Sequence, residues 1–432
     1  MENQQKPSPC SRERAFLLSI FSSQSLPGTP YLDSGYSWVR LCVSVLISLV
    51  GSAGMWAVVV VLPAVQEEFG IDRSEASIPY TTTMIGFALG NFVFGRLVDR
   101  FGIVLPMIVS ALMLGAGFAL GSLSGNVWIF AAVQGILIGS GSAVTFGPLI
   151  ADLSHWFERN RGIAVAAAAS GNYLAGTFWP LVLKEVMASD GWRDAYMLVA
   201  VVSVCVMIPV AFLLKKRIPA HVVDISSAPD ALPVTKRRID ISPRALQILL
   251  CIAGISCCVA MSMPQVHIVA YCADLGFGVS AGAEMLSIML AGGIVSRLLS
   301  GFLADRIGGV RTVLLGSFLQ CLALFLYIPF NGLASLYIVS LVFGLSQGGI
   351  VPSYAIIVRE YLPAKEAGER VGLVIMMTVV GMALGGWISG LIYDLTGSYQ
   401  AAFINGIAWN MLNMGIMALL LWRTGERRTA NA

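Results

Sequence analysis

A short polar signature that occurs twice constrains this chain more than any other feature. Gly95-Arg-Leu-Val-Asp99-Arg100-Phe-Gly102 and Gly301-Phe-Leu-Ala-Asp305-Arg306-Ile-Gly308 share glycines, aspartate and arginine at an offset of 206 positions. Each copy closes a long apolar run. Two further landmarks repeat with almost the same spacing. Trp192 and Tyr399 each open an apolar run and lie 207 apart, and Arg161 and Arg370 each precede one and lie 209 apart. Three landmarks in one register mean a duplicated chain.

Composition says where the duplicate resides. The 432 residues are 57% hydrophobic and 12% charged, about half the charge of soluble domains. A span of ~20 apolar residues crosses a bilayer, and twelve such spans fit the sequence, at 38–64, 76–97, 103–123, 127–152, 161–187, 193–214, 246–271, 281–304, 310–330, 334–358, 370–393 and 399–422. The predicted fold is an all-α integral membrane protein of twelve transmembrane helices in two pseudo-symmetric six-helix bundles. Its parts are an N-terminal tail at 1–37, bundles at 38–214 and 246–422, a linker at 215–245 and a C-terminal tail at 423–432. The linker carries four prolines and the triplet Lys236-Arg237-Arg238 and reads as solvated coil.

Basic residues set the orientation. With both tails inside, only Arg73, Lys184 and Arg193 fall outside, and Arg297 lies within a span. The remaining 23 of the 27 Lys and Arg face the cytoplasm. The net charge of +3 gives no reason to expect a nucleic-acid partner. Seven of the eight cysteines lie in apolar spans or, for Cys272, at the end of one, and Cys10 lies in the tail; without CxxC or Cys/His spacing they read as small core residues, not disulfides or metal ligands. The first forty residues read as a polar tail and not a signal peptide. There is no phosphate-binding loop, zinc spacing or Ser/His/Asp constellation, so an enzyme, ATP-driven transport and any cofactor are not expected. Two repeated bundles instead predict a substrate site between them near the midplane, reached alternately from each side.

Over its full length the chain resembles the major facilitator superfamily, whose most specific mark is the Gly-x-x-x-Asp-Arg-x-Gly signature after spans two and eight. The resemblance implies that Asp99, Arg100, Asp305 and Arg306, with Asp152 and Arg161 at the ends of spans four and five, gate the cytoplasmic side. Two stretches narrow it to monocarboxylate porters. Asp33-Ser-Gly35-Tyr36-Ser-Trp38 is similar to that family's entry motif, and Trp156-Phe157-Glu-Arg159-Asn-Arg161-Gly162 to its span-five motif. Arg297 stands where the family places its substrate-binding arginine. The acidic partner one turn earlier is Gly293 here, span one at 41–62 has no lysine, and span four carries Gln134-Gly135 where many proton-coupled members have arginine. The likeness therefore supports carboxylate transport better than proton coupling.

Arg297 is the leading substrate residue, because its planar fork suits a carboxylate. Its span, read as ending at 304, leaves the arginine some 10 Å from the inner end. The alternatives are snorkelling to headgroups or pairing with Asp305. His267 sits mid-span with Gln265 beside it and Tyr271 one turn on, so this group is expected at the substrate, the histidine as proton carrier or hydrogen-bond partner. Asn172 and Tyr173 in span five, and Gln347 and Tyr354 in span ten, lie in glycine- and proline-broken stretches of the kind that line cavities. The expected function is secondary active transport of a small organic anion by a monomer in the bacterial cytoplasmic membrane, coupled to protons or a counter-anion. Rivals are a facilitator for a drug or sugar, and a membrane sensor that binds without turnover.

Overall fold

The computed structural model describes residues 32–158, 160–216, 239, 241–362 and 366–430. These form twelve helical columns: α1 Gly35–Phe69, α2 Arg73–Phe101, α3 Val104–Ser122, α4 Val127–Ser154, α5 Arg161–Asp190, α6 Trp192–Phe212, α7 Pro243–Asp274, α8 Gly278–Ile307, α9 Gly309–Leu326, α10 Leu333–Tyr361, α11 Ala367–Thr396 and α12 Tyr399–Ala430. Ten are long and apolar enough to cross a membrane by composition alone. The other two, α2 and α5, are 29 and 30 residues long and more polar. Most of the predicted tails and linker lies outside the described residues.

Local chemistry starts and stops these helices. Side-chain oxygens of Ser34, Asn126 and Ser242 accept from the first free N–H groups of α1, α4 and α7, and Pro243 opens α7 with its φ already helical. Gly102 (φ 78°) ends α2 and Gly308 (φ 87°) ends α8; Gly191 (φ 86°) ends α5 and Gly397 (φ 66°) ends α11. Both pairs are 206 residues apart and need a backbone that side chains disfavour. The duplication is thus written in the turn geometry as well as in the signature. The signature itself is helical. Asp99 and Asp305 lie in the last turns of α2 and α8, and only the positive-φ glycine breaks each helix.

Across the pseudo-two-fold, α2 packs on α11 and α5 packs on α8, each joining one half to the other. α7 is buried almost all round over its outer part, from Ser256 to Cys272. Inside each half, glycine backbones touch. A Cβ on Gly86 would lie 1.9 Å from the Gly135 carbonyl oxygen, and one on Gly344 would lie 2.0 Å from that of Met289. Large apolar side chains such as Leu112, Trp128, Phe318 and Trp422 are exposed on the outer faces, where a bilayer would cover them. Gly86→Ala is expected to lower the melting temperature of the purified protein, since backbone cannot yield as a side chain tip can and overpacking costs about 1–3 kcal/mol. Gly415→Ala, in the open interior of α12, is expected to leave it unchanged or raise it. Equal melting shifts for the two would contradict the α2–α4 contact.

Candidate functional site

A cavity of about 910 Å³ runs between the halves and opens at the end that carries both signatures. Asp99, Asp152, His155 and Glu369 stand at its mouth, and Trp56, Asn172, Tyr173, Gln265 and Arg297 at its inner end. Its walls are otherwise largely apolar, with Phe87 and Phe146 on one side and Met376, Val379 and Met382 of α11 on the other. α4 breaks into the cavity after a π-helical turn at Gln134–Gly139. Asn91 holds the break, its Oδ1 accepting from the Gly147 N–H at 3.2 Å.

Arg297 lies ten residues before the end of α8, about 15 Å along the axis. It neither snorkels nor pairs with Asp305. Its Nη1 donates to the Ala169 carbonyl at 2.7 Å, its Nε to the Gly348 carbonyl at 3.3 Å, and its Cζ stacks 4.3 Å from the Tyr173 ring centre. Among the described residues no carboxylate contacts it. The missing acid at Gly293 has a steric reason: a Cβ there would meet the Tyr173 ring at 3.3 Å. The aromatic face takes the place of a counter-charge, so the guanidinium is fixed in position yet not neutralised.

Asn172 is fixed beside it. Its Oδ1 accepts from Trp56 Nε1 at 2.9 Å, and its Nδ2 contacts the Met55 sulfur at 3.3 Å. Gln265 lines the cavity and donates from Nε2 to Gln347 Oε1 at 2.9 Å; Gln347 is fully buried behind it. The structure thus brings together Arg297, Tyr173, Asn172 and Gln265, with Gln347 as support.

His267, Tyr271 and Tyr354 do not reach the cavity, which corrects the expectation for all three. Two residues turn a helix by ~200°, so Gln265 facing inward sends His267 the other way. His267 Nε2 lies 2.8 Å from the Gly386 carbonyl of α11, which only accepts, and the ring's Nδ1 takes a hydrogen bond from Tyr399 at 3.3 Å. Tyr271 shares that face, as its spacing predicted, and packs edge-on to Tyr399. Tyr354 donates to Asn413 Oδ1 at 2.9 Å inside the α9–α10–α12 core. His267 and Tyr354 are hydrogen-bonded, and Tyr271 is packed through its ring, in helix–helix contacts.

At the mouth, Asp99, Arg100, Asp305 and Arg306 are exposed, and neither aspartate has an ion pair among the described residues. Asp152 is held by Arg40 at 2.6 Å, and the side chain of Arg161 lies outside the described residues. Arg40 also donates to the Leu214 carbonyl at 3.0 Å and stacks on Trp156. The cap on α9 falls to Glu360, which accepts from the Gly309 N–H at 3.3 Å; neither signature aspartate serves as that cap.

The end opposite the mouth is shut by contacts between the halves that sequence reading missed. Arg73 pairs with Asp274 at 3.0 Å and donates to the Tyr399 hydroxyl, and Asp394 accepts from the Arg73 and Ser74 N–H groups at 2.9 and 2.7 Å. Lys184 bonds Glu284, which also accepts from Tyr337. The sequence did carry one signal: Arg73 and Lys184 are two of only three basic residues on that side.

A family model described as Major Facilitator Superfamily matches residues 44–330 and 248–432. Monocarboxylate transporter 13 of Rattus norvegicus is 26% identical over 405 residues, covering 90% of this chain and 90% of that protein. The MFS-type transporter pynF of Aspergillus niger is 24% identical over 340 residues, covering 77% and 75%. Among solved structures, a bacterial homologue of the human lysosomal transporter Spinster, inward-facing and occupied, superposes with a TM-score of 0.66 over 92% of this chain and 96% of that one, at 14% identity. With both halves matched and the duplicated helical architecture in place, this chain belongs to the Major Facilitator Superfamily as a multi-pass membrane transporter, and is not an enzyme.

Proposed function

We propose that the protein moves small organic monocarboxylates across the cytoplasmic membrane by alternating access, with Arg297 receiving the carboxylate. The observation that carries this reading is the fixed, partly buried guanidinium with no acid beside it. An anion is the ligand that such a group lacks, and a carboxylate fits its fork. A drug or sugar facilitator would not need an unneutralised cation at that depth, whose burial costs several kcal/mol.

The bias of basic residues puts the signature end in the cytoplasm, so this conformation is open inward. Closing it brings the α2 and α8 ends together, while the Arg73–Asp274 and Lys184–Glu284 pairs part. Coupling by anion exchange fits the site better than proton symport. His267 is turned away from the cavity, and the carboxylates and His155 sit at its mouth, far from Arg297. An exchanged anion instead recharges the same guanidinium for the return step.

The test is uptake of labelled short and aromatic monocarboxylates into proteoliposomes, with an inward proton gradient or with trapped internal substrate. Uptake driven by trapped anion and indifferent to the gradient is expected. Accumulation that follows the gradient would replace exchange with symport, and binding without any flux would leave a sensor.

A further inference from the structure

Three side chains form one line of hydrogen bonds from the middle of α7 to the closed outer end. His267 Nε2 lies 2.8 Å from the Gly386 carbonyl, Nδ1 lies 3.3 Å from the Tyr399 hydroxyl, and that hydroxyl lies 3.0 Å from Arg73 Nη1. The directions are forced, because a carbonyl only accepts and a guanidinium only donates. Nε2 therefore carries the ring's proton, and the Tyr399 oxygen takes a proton from Arg73 and gives its own to Nδ1. This arrangement requires a neutral His267. A second proton on the ring would set two cations on one hydroxyl oxygen, in a contact where His267 is 1% and Tyr399 3% exposed.

The charges around the ring are divided unequally between the halves. Asp274, seven residues further along α7 and so about 10 Å away on the same face, lies in the second half with His267 and Tyr399, as does Asp394 of α11. Arg73 is the cation that the first half supplies, and it and Asp394 both act on the ring through space. The other titratable groups on helices packed against α7 are engaged elsewhere. Tyr271 and Tyr393 stack on Tyr399, and Tyr80 of α2 lies against Gly386. Glu284 of α8 is bonded to Lys184 and Tyr337, and Glu68 of α1 to Arg193. When the halves part at this end, Arg73 leaves with α2 while both carboxylates stay on the side of His267. A proton on the ring then replaces the departed cation and is donated from Nδ1 to the freed Tyr399 oxygen.

We propose that His267 is the positioning residue of the outer latch, and that a proton taken up on its ring from the outer side holds the latch open. Neutral, the ring fixes the Tyr399 hydroxyl to receive Arg73; protonated, it takes the place of Arg73. A proton bound better by one form shifts the balance toward that form by the difference in affinity. It enters when the outer end opens and leaves by the same side when Arg73 returns, so it biases the two forms without being carried across. The inference makes no use of the carboxylate reading of Arg297.

The experiment measures distances between spin labels at Ala188→Cys and Ala334→Cys, exposed at the outer ends of α5 and α10, with the exposed Cys42 and Cys205 replaced by serine. The purified full-length protein is compared at about pH 7.5 and about pH 5.5, either side of the ordinary histidine range. With His267 in place, acidification is expected to raise the ratio of the long to the short distance component about tenfold, within the limit of about tenfold per pH unit that one proton allows. His267→Gln, whose amide donates to Gly386 and accepts from Tyr399 without titrating, is expected to keep the short component at both pH values. His267→Phe and Tyr399→Phe break the line, and both are expected to show a raised long component with no pH response. A pH response that survives His267→Gln would overturn the proposal and assign the sensing to Asp274 and Asp394. A parent protein blind to pH would overturn it, as would a His267→Phe distribution identical to the parent's at about pH 7.5. If His267→Phe does not fold, His267→Gln decides alone, because a histidine that only packs gives no response for that variant to abolish.

Discussion

Arg297→Ala is expected to reduce carboxylate uptake to the level of empty liposomes while the protein still purifies folded. Removing one partner of a buried, hydrogen-bonded charge pair costs about 2–5 kcal/mol, which at 1.4 kcal/mol per decade is about one and a half to three and a half orders of magnitude in affinity. Arg297→Lys is expected to recover little of this. Lysine keeps the charge but loses the fork that reaches Ala169 and Gly348 at once, and the flat stack on Tyr173. Ligand binding by calorimetry separates this from a gating defect, because a substitution that only slows the cycle leaves affinity intact. Unchanged binding and uptake in Arg297→Ala would refute the role assigned to it.

The second large effect is conformational. Arg73→Ala is expected to shift the population from the form open at the signature end toward the form open at the opposite end. The guanidinium is 7% exposed and its partner Asp274 31% exposed, so the loss is less than the ~3–5 kcal/mol of a fully buried pair. Each 1.4 kcal/mol still changes the ratio of states tenfold. Spin labels at Asp72→Cys and Ser280→Cys, on exposed positions at the outer ends of α2 and α8, report the change as a longer distance component. The Asp394 cap on α2 remains in this variant, and Arg73→Ala with Asp394→Asn is expected to move further. An unchanged distance distribution in both would show that Arg73 does not hold that end shut.

The charged residues at the two ends show how far the sequence could be read. Asp99 and Asp305 were found from their repeat, because a duplicated motif is a one-dimensional fact. Their counterparts at the other end, Arg73 with Asp274 and Asp394, are separated by 201 and 321 positions and carry no motif. Arg40 escaped notice for a similar reason: at the end of the polar tail it looks like one more inner basic residue. Only the fold makes it the partner of Asp152 and the cap on the end of α6.

The candidate substrate residues divide in the same way. Arg297 was legible because a charge inside an apolar run needs an explanation wherever the run goes. On α7, Gln265 and His267 were equally plausible, since a helix buried on every side has no apolar stripe to say which face meets the cavity. The sequence by itself determined the duplication, the twelve columns and a cation at depth, because length, hydropathy and repetition act along the chain. The tertiary structure alone decided that the Tyr173 ring fills the space beside Arg297 and Gly293, that His267 turns away, and that one end is shut. Those facts depend on which helix faces which across the axis between the halves, and no local spacing encodes that.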